Sequence, residues 1–318
     1  MDNIVQCLDK THKIDKIIKV FEKSIEQRVR SVHRYENVTN NSVYRIDTEL
    51  QSYIFKIYKS GWPEDGKLLF IEKKLTEHNI PHAKIFVYNR ANTEFTNGYL
   101  IEECLPGTTA DRLALSKNQT IDLFIKLGAL VSQIHKIELK GYGYIGGGVA
   151  DWSKFSDFMY NSFHENTNNL LAQNLVKRDE VETIWSEIYQ GLKACDKYPP
   201  VLCHTDLSTK NVLINENRLT LIDWDDAYAL CWVADIAHLT LWMKHEYGNN
   251  AAVYRKAFLD NYKTEHDMNV FYEVENLLHV RYCLENINYF IGTPQYDSFK
   301  SILKDSLEKC GMRLESLL

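Results

Sequence analysis

No stretch of this sequence approaches the ~20 consecutive apolar residues that cross a bilayer, and its opening residues, MDNIVQCLDK, lack the apolar core of a secretory signal. A cytoplasmic protein without a membrane partner is therefore expected. The seven cysteines, at 7, 104, 195, 203, 231, 283 and 310, form no C-x-x-C pair and are odd in number, so they read as reduced thiols and not as a disulfide framework or zinc site. Cys104 and Cys203 read as small buried hydrophobes. A basic excess is missing too: 37 Lys and Arg against 43 Asp and Glu leave a net charge of −6, which argues against general nucleic-acid affinity and leans toward a cationic ligand. What is present is ordinary: 318 residues, 45% of them hydrophobic, enough to bury a sizeable core in two lobes.

Residues 204–226 organise the rest. Asp206 is followed five positions later by Asn211, on a loop that runs into the apolar strand Val212-Leu213-Ile214. The turn-like Asn215-Glu216-Asn217-Arg218 then leads to a second apolar strand, Leu219-Thr220-Leu221-Ile222, which ends in Asp223. Such a hairpin returns Asp223 to the end that carries Asn211. Magnesium takes a few hard oxygen ligands plus phosphate oxygens, which suits Asn211 and Asp223. Asp206 is left to orient an attacking hydroxyl and accept its proton. An isolated Asp-x4-Asn is common in loops; the ordered assembly carries the reading. A metal hydrolase with His204 and Asp206 as ligands is the rival, but the chain has no H-E-x-x-H, and His204 reads better as a brace for the loop.

These residues resemble the aminoglycoside phosphotransferase and choline kinase-like superfamily. His204-Thr205-Asp206 stands where that family has a His-Gly-Asp-type loop, Ile222-Asp223-Trp224 matches its magnesium-binding Ile-Asp-Trp, and Asp235-Ile236-Ala237 resembles its Asp-Leu-Ala. Gly141-Tyr142-Gly143 and Trp152 are similar to antibiotic phosphotransferases of the hygromycin type. The resemblance implies an α+β, bilobal, protein-kinase-like fold. A small N-lobe with an antiparallel sheet (1–104) would bind the nucleotide, and a larger, mostly helical C-lobe (105–318) would carry catalysis and substrate. It also implies transfer of the γ-phosphate of ATP (or GTP), with Mg2+, to a hydroxyl of a small molecule, by a monomer or homodimer. An aminoglycoside or related antibiotic is the leading acceptor. A choline-like alcohol, homoserine or a sugar is the alternative, and a nucleotide-binding pseudokinase or regulatory module is the rival of another class. A protein kinase fits poorly: Thr205 replaces the Arg of H-R-D, no D-F-G glycine follows Asp223, and A-P-E is missing.

In the N-lobe, Ile14, Ile17, Ile18, Phe21 and Ile25 predict a helix over 13–29, and alternation predicts strands through Tyr58. The polar segment Asn37–Ser42 sits where a phosphate-covering loop belongs but contains no glycine; Thr39 and Ser42 offer hydroxyls instead. Lys56 interrupts an apolar strand, as the kinase lysine that contacts nucleotide phosphates does. Its glutamate partner should lie on a helix over 64–79. The family's position falls near Leu68, so Glu64 and Glu72 compete, with Glu72 preferred. Strands at 84–88 and 99–105 flank the turn Arg90–Gly98, and the backbone of Glu103 to Leu105 would meet the adenine edge. In the C-lobe, helices are expected over 119–137, within 152–196, and over 234–245 and 268–291. His135 reads as structural, 141–148 as a flexible glycine-rich loop, and Asp225, Asp226, Glu275 and Glu285 as acceptors for substrate ammonium groups or as solvated surface.

Overall fold

The computed structural model describes residues 2–36, 40–146 and 148–317, without the side chains of 2–12 and 164–166. The chain forms two compact units, Met1–Gly107 and Thr108–Leu318.

The first unit begins with α1 (Asp2–Ile25), which buries Ile17, Val20 and Phe21 along one face at helical spacing. It stops four residues short of the expected end because Glu26 turns left-handed (φ 59°) and Arg30 N–H already bonds Asp47 O of the sheet. Five strands follow: β1 (Ser31–Arg34), β2 (Asn41–Asp47), β3 (Ser52–Tyr58), and, after α2 (Lys67–Glu77), β4 (Ile85–Asn89) and β5 (Tyr99–Glu103). They form one antiparallel sheet in the order β1-β2-β3-β5-β4. Alternate residues of β2 and β3, namely Tyr44, Ile46, Tyr53 and Phe55, meet α1 in the core, where Phe55 stacks on Tyr99 with centroids 5.2 Å apart.

The second unit is mostly helical. In chain order it contains β6 (Thr108–Thr109), α3 (Lys117–Ile134), β7 (Gly143–Tyr144), α4 (Phe155–Ala172), α5 (Arg178–Leu192), β8 (Val201–Cys203), β9 (Val212–Asn215), β10 (Arg218–Leu221), β11 (Tyr228–Leu230), α6 (Val233–Tyr247), α7 (Ala251–Asn261), α8 (Asn269–Tyr289) and α9 (Gln295–Lys309). α3 starts at a reciprocal cap between Ser116 and Gln119. The strands make two small sheets, β10-β9-β6 and β7-β11-β8. α6 buries residues on every side over its first three turns, so Asp235, in its first turn, lies in the interior.

Part of the glycine-rich stretch expected as a loop is strand. Gly143 and Tyr144 pair with Ala229 and Tyr228 as strand β7. A Cβ on Gly141 (φ 73°) would stand 2.0 Å from Ala150 O, and one on Gly143 (φ 117°) 3.0 Å from the Phe158 ring. These glycines permit close packing in backbone conformations that L side chains avoid. The described cysteines are all free: Cys195, Cys203, Cys231 and Cys283 are buried, whereas Cys104 in the first unit and Cys310 in the second are partly exposed.

Candidate active site

The hairpin read from the sequence forms. β9 and β10 pair from Asn215↔Arg218 to Leu221↔Val212. A two-residue turn joins them, with Glu216 at φ 53°, the positive angle such turns require. One step beyond the ladder, Ile222 N–H donates to Asn211 O at 3.0 Å, so Asp223 stands beside Asn211. The Asn211 amide nitrogen donates to Asp206 twice, to the backbone O at 2.9 Å and to Oδ2 at 2.8 Å. That fixes the amide: Nδ2 faces Asp206, and Oδ1 keeps its lone pairs for another ligand. Asp206, Asn211 and Asp223 are therefore gathered in one place, with Asn211 buried and Asp206 partly exposed.

The loop that carries Asp206 is held by a buried carboxylate. Asp235, 1% exposed, accepts from His204 N–H at 2.8 Å and from Thr205 N–H at 2.7 Å, one on each oxygen. Its Oδ2 also faces His135 Nε2 at 3.1 Å, and His135 Nδ1 meets the Tyr262 hydroxyl at 2.8 Å. Burial resists ionisation of Asp235. The hydrogen bond and charge of His135, with His204 and its N–H, outweigh that and keep the carboxyl below the usual range. Cys203 brings a sulfur near His135 and Asp235, within 4.8 Å. The nitrogen and carboxylate are already spent on each other and on the loop, so this cluster is a brace and not a metal site.

His204 links the two halves of the site. Its Nε2 lies 3.0 Å from Ile222 O, and its Nδ1 accepts from Asp206 N–H at 3.3 Å, a pair of bonds that calls for the proton on Nε2. The ring packs on Trp224, 4.7 Å between centroids. Besides Glu216, Thr205 (φ 60°) and Asp223 (φ 63°) take left-handed backbone angles. Asp tolerates this region, but β-branched Thr does not. What compensates Thr205 is its hydroxyl, which donates to Asp226 O, and its N–H on Asp235. Lys210, four residues after Asp206, places Nζ 3.0 Å from Asp206 Oδ2. Partial burial works against its charge, and Asp206, Asp223 and Asp226 outweigh it, holding the ammonium above the ordinary lysine value.

The residues expected on the nucleotide side lie in the first unit. Lys56 is buried in the middle of β3, between Val43 of β2 and Leu100 of β5. Glu72 Oε1 accepts from Ile85 N–H at 2.8 Å and so ties α2 to β4. Ser42 lies inside β2, not in a loop, and its hydroxyl takes Lys13 Nζ at 3.5 Å. Thr39 lies outside the described residues. At the end of β5, Glu103 N–H is spent on Lys84 O at 2.8 Å and Cys104 N–H on Ser52 O at 3.2 Å, whereas Leu105 N–H donates to no backbone oxygen among the described residues. Of the acids expected for substrate, Asp225 is buried, Glu275 is buried against Arg255 at 2.6 Å and Glu285 pairs with Arg281 at 2.9 Å, whereas Asp226 is partly exposed beside the Asp206 loop. Asp235 and Lys210 are the site residues that sequence reasoning gave no role. The signals are an acid in the otherwise apolar first turn of α6 and a lysine four residues after Asp206.

Residues 31–268 match the phosphotransferase enzyme family. Among solved structures, the fold is similar to a thermostable mutant of the aminoglycoside phosphotransferase APH(4)-Ia in a ternary complex with AMP-PNP and hygromycin B. There the TM-score is 0.66 at 13% identity, covering 91% of this chain and 98% of that one. It is also similar to spectinomycin phosphotransferase APH(9)-Ia with ADP and spectinomycin (TM-score 0.57, 17% identity, 93% and 97% covered). A third likeness is to an ethanolamine kinase from Plasmodium vivax (TM-score 0.63, 16% identity, 87% and 82% covered). Comparison with curated proteins gives no match. The family match spans well over half of the sequence and contains the whole hairpin, its bracing carboxylate and the loop between them: this chain belongs to the phosphotransferase enzyme family, enzymes that move a phosphoryl group onto a hydroxyl.

Proposed function

We propose that this enzyme transfers the γ-phosphoryl group of ATP to a hydroxyl of a small, cationic, hydroxylated molecule of the aminoglycoside kind. The observation that carries the reading is the bond from Asn211 Nδ2 to Asp206 Oδ2, made beside Asp223. In this reading the acceptor hydroxyl oxygen attacks the γ-phosphorus, and the bond from that phosphorus to the β,γ-bridging oxygen breaks. ADP leaves with the electron pair, and the hydroxyl proton passes to Asp206. Among the described residues Asp206 Oδ1 accepts no hydrogen bond, so it is the oxygen assigned to that proton.

The donor set suits magnesium. Asn211 offers a neutral Oδ1 whose own N–H groups point elsewhere, and Asp223 offers a carboxylate next to it, both hard oxygens. When bound, the ion would offset negative charge on the transferring phosphoryl group. In the first unit we assign the phosphate contact to Lys56 and the adenine contact to the Leu105 N–H, with 1–104 as the nucleotide-binding lobe. The preference for a cationic acceptor is supported by three carboxylates, Asp206, Asp223 and Asp226, whose combined field acts on Lys210.

The test is ADP release by the purified chain with ATP and magnesium against aminoglycosides, related antibiotics, choline-like alcohols, homoserine and sugars. Turnover of an aminoglycoside is expected. Asp206→Asn should lower kcat by about a thousandfold or more while ATP affinity holds. ATP binding without turnover of any acceptor would favour a regulatory nucleotide-binding module, and undiminished turnover by Asp206→Asn would remove that residue's role.

A further inference from the structure

The Asp206 carboxylate is gripped from one side only. Its Oδ2 takes the Asn211 amide at 2.8 Å and the Lys210 ammonium at 3.0 Å, and Oδ1 takes neither. Both donors sit on the short turn Thr209–Asn211, which α6 supports at two places one helical turn apart. The Thr209 hydroxyl bonds Glu246 Oε2 at 3.1 Å, and the Lys210 ammonium lies 5.7 Å from the centre of the Trp242 ring. A lysine with a four-carbon stem and a half-exposed head has many conformations open to it in water. Here its partners are a buried turn, an aromatic face and a carboxylate that the amide also holds.

We propose that Lys210 is a positioning residue for phosphoryl transfer: together with Asn211 it clamps Oδ2 of Asp206, so that Oδ1 is presented to the acceptor hydroxyl in a fixed orientation. This rests on the role given above to Asp206. A carboxylate held by the amide alone can swing about its side-chain torsions, and a misplacement of about 1 Å at a reacting group costs on the order of a hundredfold in rate. Lys210 touches neither reacting atom in this scheme and acts through Asp206.

The test is a double-mutant cycle on turnover with the best acceptor found, alongside nucleotide affinity by calorimetry. Lys210→Met should lower kcat by about a hundredfold while KM for ATP and for the acceptor hold. Lys210→Arg should restore most of the loss. In an Asp206→Asn background, Lys210→Met should cost nothing further, because the group it positions is gone. A raised KM for ATP, or the same loss in both backgrounds, would overturn the proposal and make Lys210 a direct phosphate contact. Full activity of Lys210→Met would overturn it outright. Lys256→Met, which removes an exposed partner of Asp260 on α7, serves as the control for lost surface charge. If the wild-type chain turns over no acceptor, the functional reading fails by itself. Lys210 is then judged from a crystal structure of Lys210→Met: a displaced Asp206 carboxylate supports the clamp, and one still bonded to Asn211 in its present place overturns it.

Discussion

Two carboxylates, one in each unit, are held in opposite ways. In the first, Asp47 lies at the sheet surface and gathers the Ser31 and Ser52 hydroxyls and the Arg45 guanidinium, at 2.6 to 2.7 Å. Its partners are replaceable side chains with water close by. In the second, Asp235 is sealed from water and gathers backbone N–H groups of the very loop that carries Asp206. A surface carboxylate trims a sheet edge, whereas a buried one dictates backbone. The comparison teaches that one buried carboxylate fixes two successive backbone N–H groups of the Asp206 loop, whereas Asp47 holds only side chains at the sheet surface.

The strongest way to break that comparison is to delete both groups. Asp235→Ala leaves two N–H groups and His135 buried without their acceptor, and should cost about 3–5 kcal/mol in urea unfolding. Asp47→Ala should cost about 1 kcal/mol. Equal losses would show that the buried carboxylate is not special.

A pH titration sharpens the same contrast. Burial, helped by the charge of Lys244, pushes the fully buried His279 of α8 down to about 3 from its usual 6.5. Between those values the unfolded chain binds a proton that the folded one refuses, so the second unit loses stability as pH falls from about 6.5 toward 3. The Ser52 and Ser31 hydroxyls and Arg45 outweigh burial to lower Asp47 to about 2 from 3.8, so its contribution is present above about 4 and lost only as pH falls toward 2. Hydrogen exchange across this range should show the helical unit opening first, and His279→Gln should flatten its dependence between pH 6.5 and 3. The sheet opening at the higher pH would contradict this assignment.

The smallest effect is expected at Glu72. Glutamine keeps an oxygen for Ile85 N–H, so Glu72→Gln should change stability by no more than about 0.5 kcal/mol and leave turnover unaltered. A tenfold fall in kcat would support Glu72 as the partner of Lys56.

What could be read in advance follows from range. The Asp206–Asn211–Asp223 arrangement depends on a five-residue interval and a two-residue hairpin turn, both local, and the sequence reveals both. The roles of Asp235, of Lys210 and of the glycines at 141 and 143 depend on which segments meet across many residues, and one chain alone does not reveal that. Helices α7 and α9 were not anticipated, although α9 buries Phe299, Ile302, Leu303 and Leu307 at helical spacing. Nucleotide contacts are weakly marked in a sequence, because backbone groups can make them whatever side chain they carry. Ser42 and Glu72 suit the nucleotide side by residue type, and in the fold Ser42 meets Lys13 of α1 while Glu72 ties α2 to β4.

The cysteines offer a practical return. Four of the six described thiols are sealed inside the second unit, so a maleimide dye should reach Cys104 and Cys310 alone among them, one attachment point on each unit. With Cys7 replaced by serine, the chain becomes a two-colour ruler, and single-molecule energy transfer between the dyes would test whether added ATP changes the distance between the two labels.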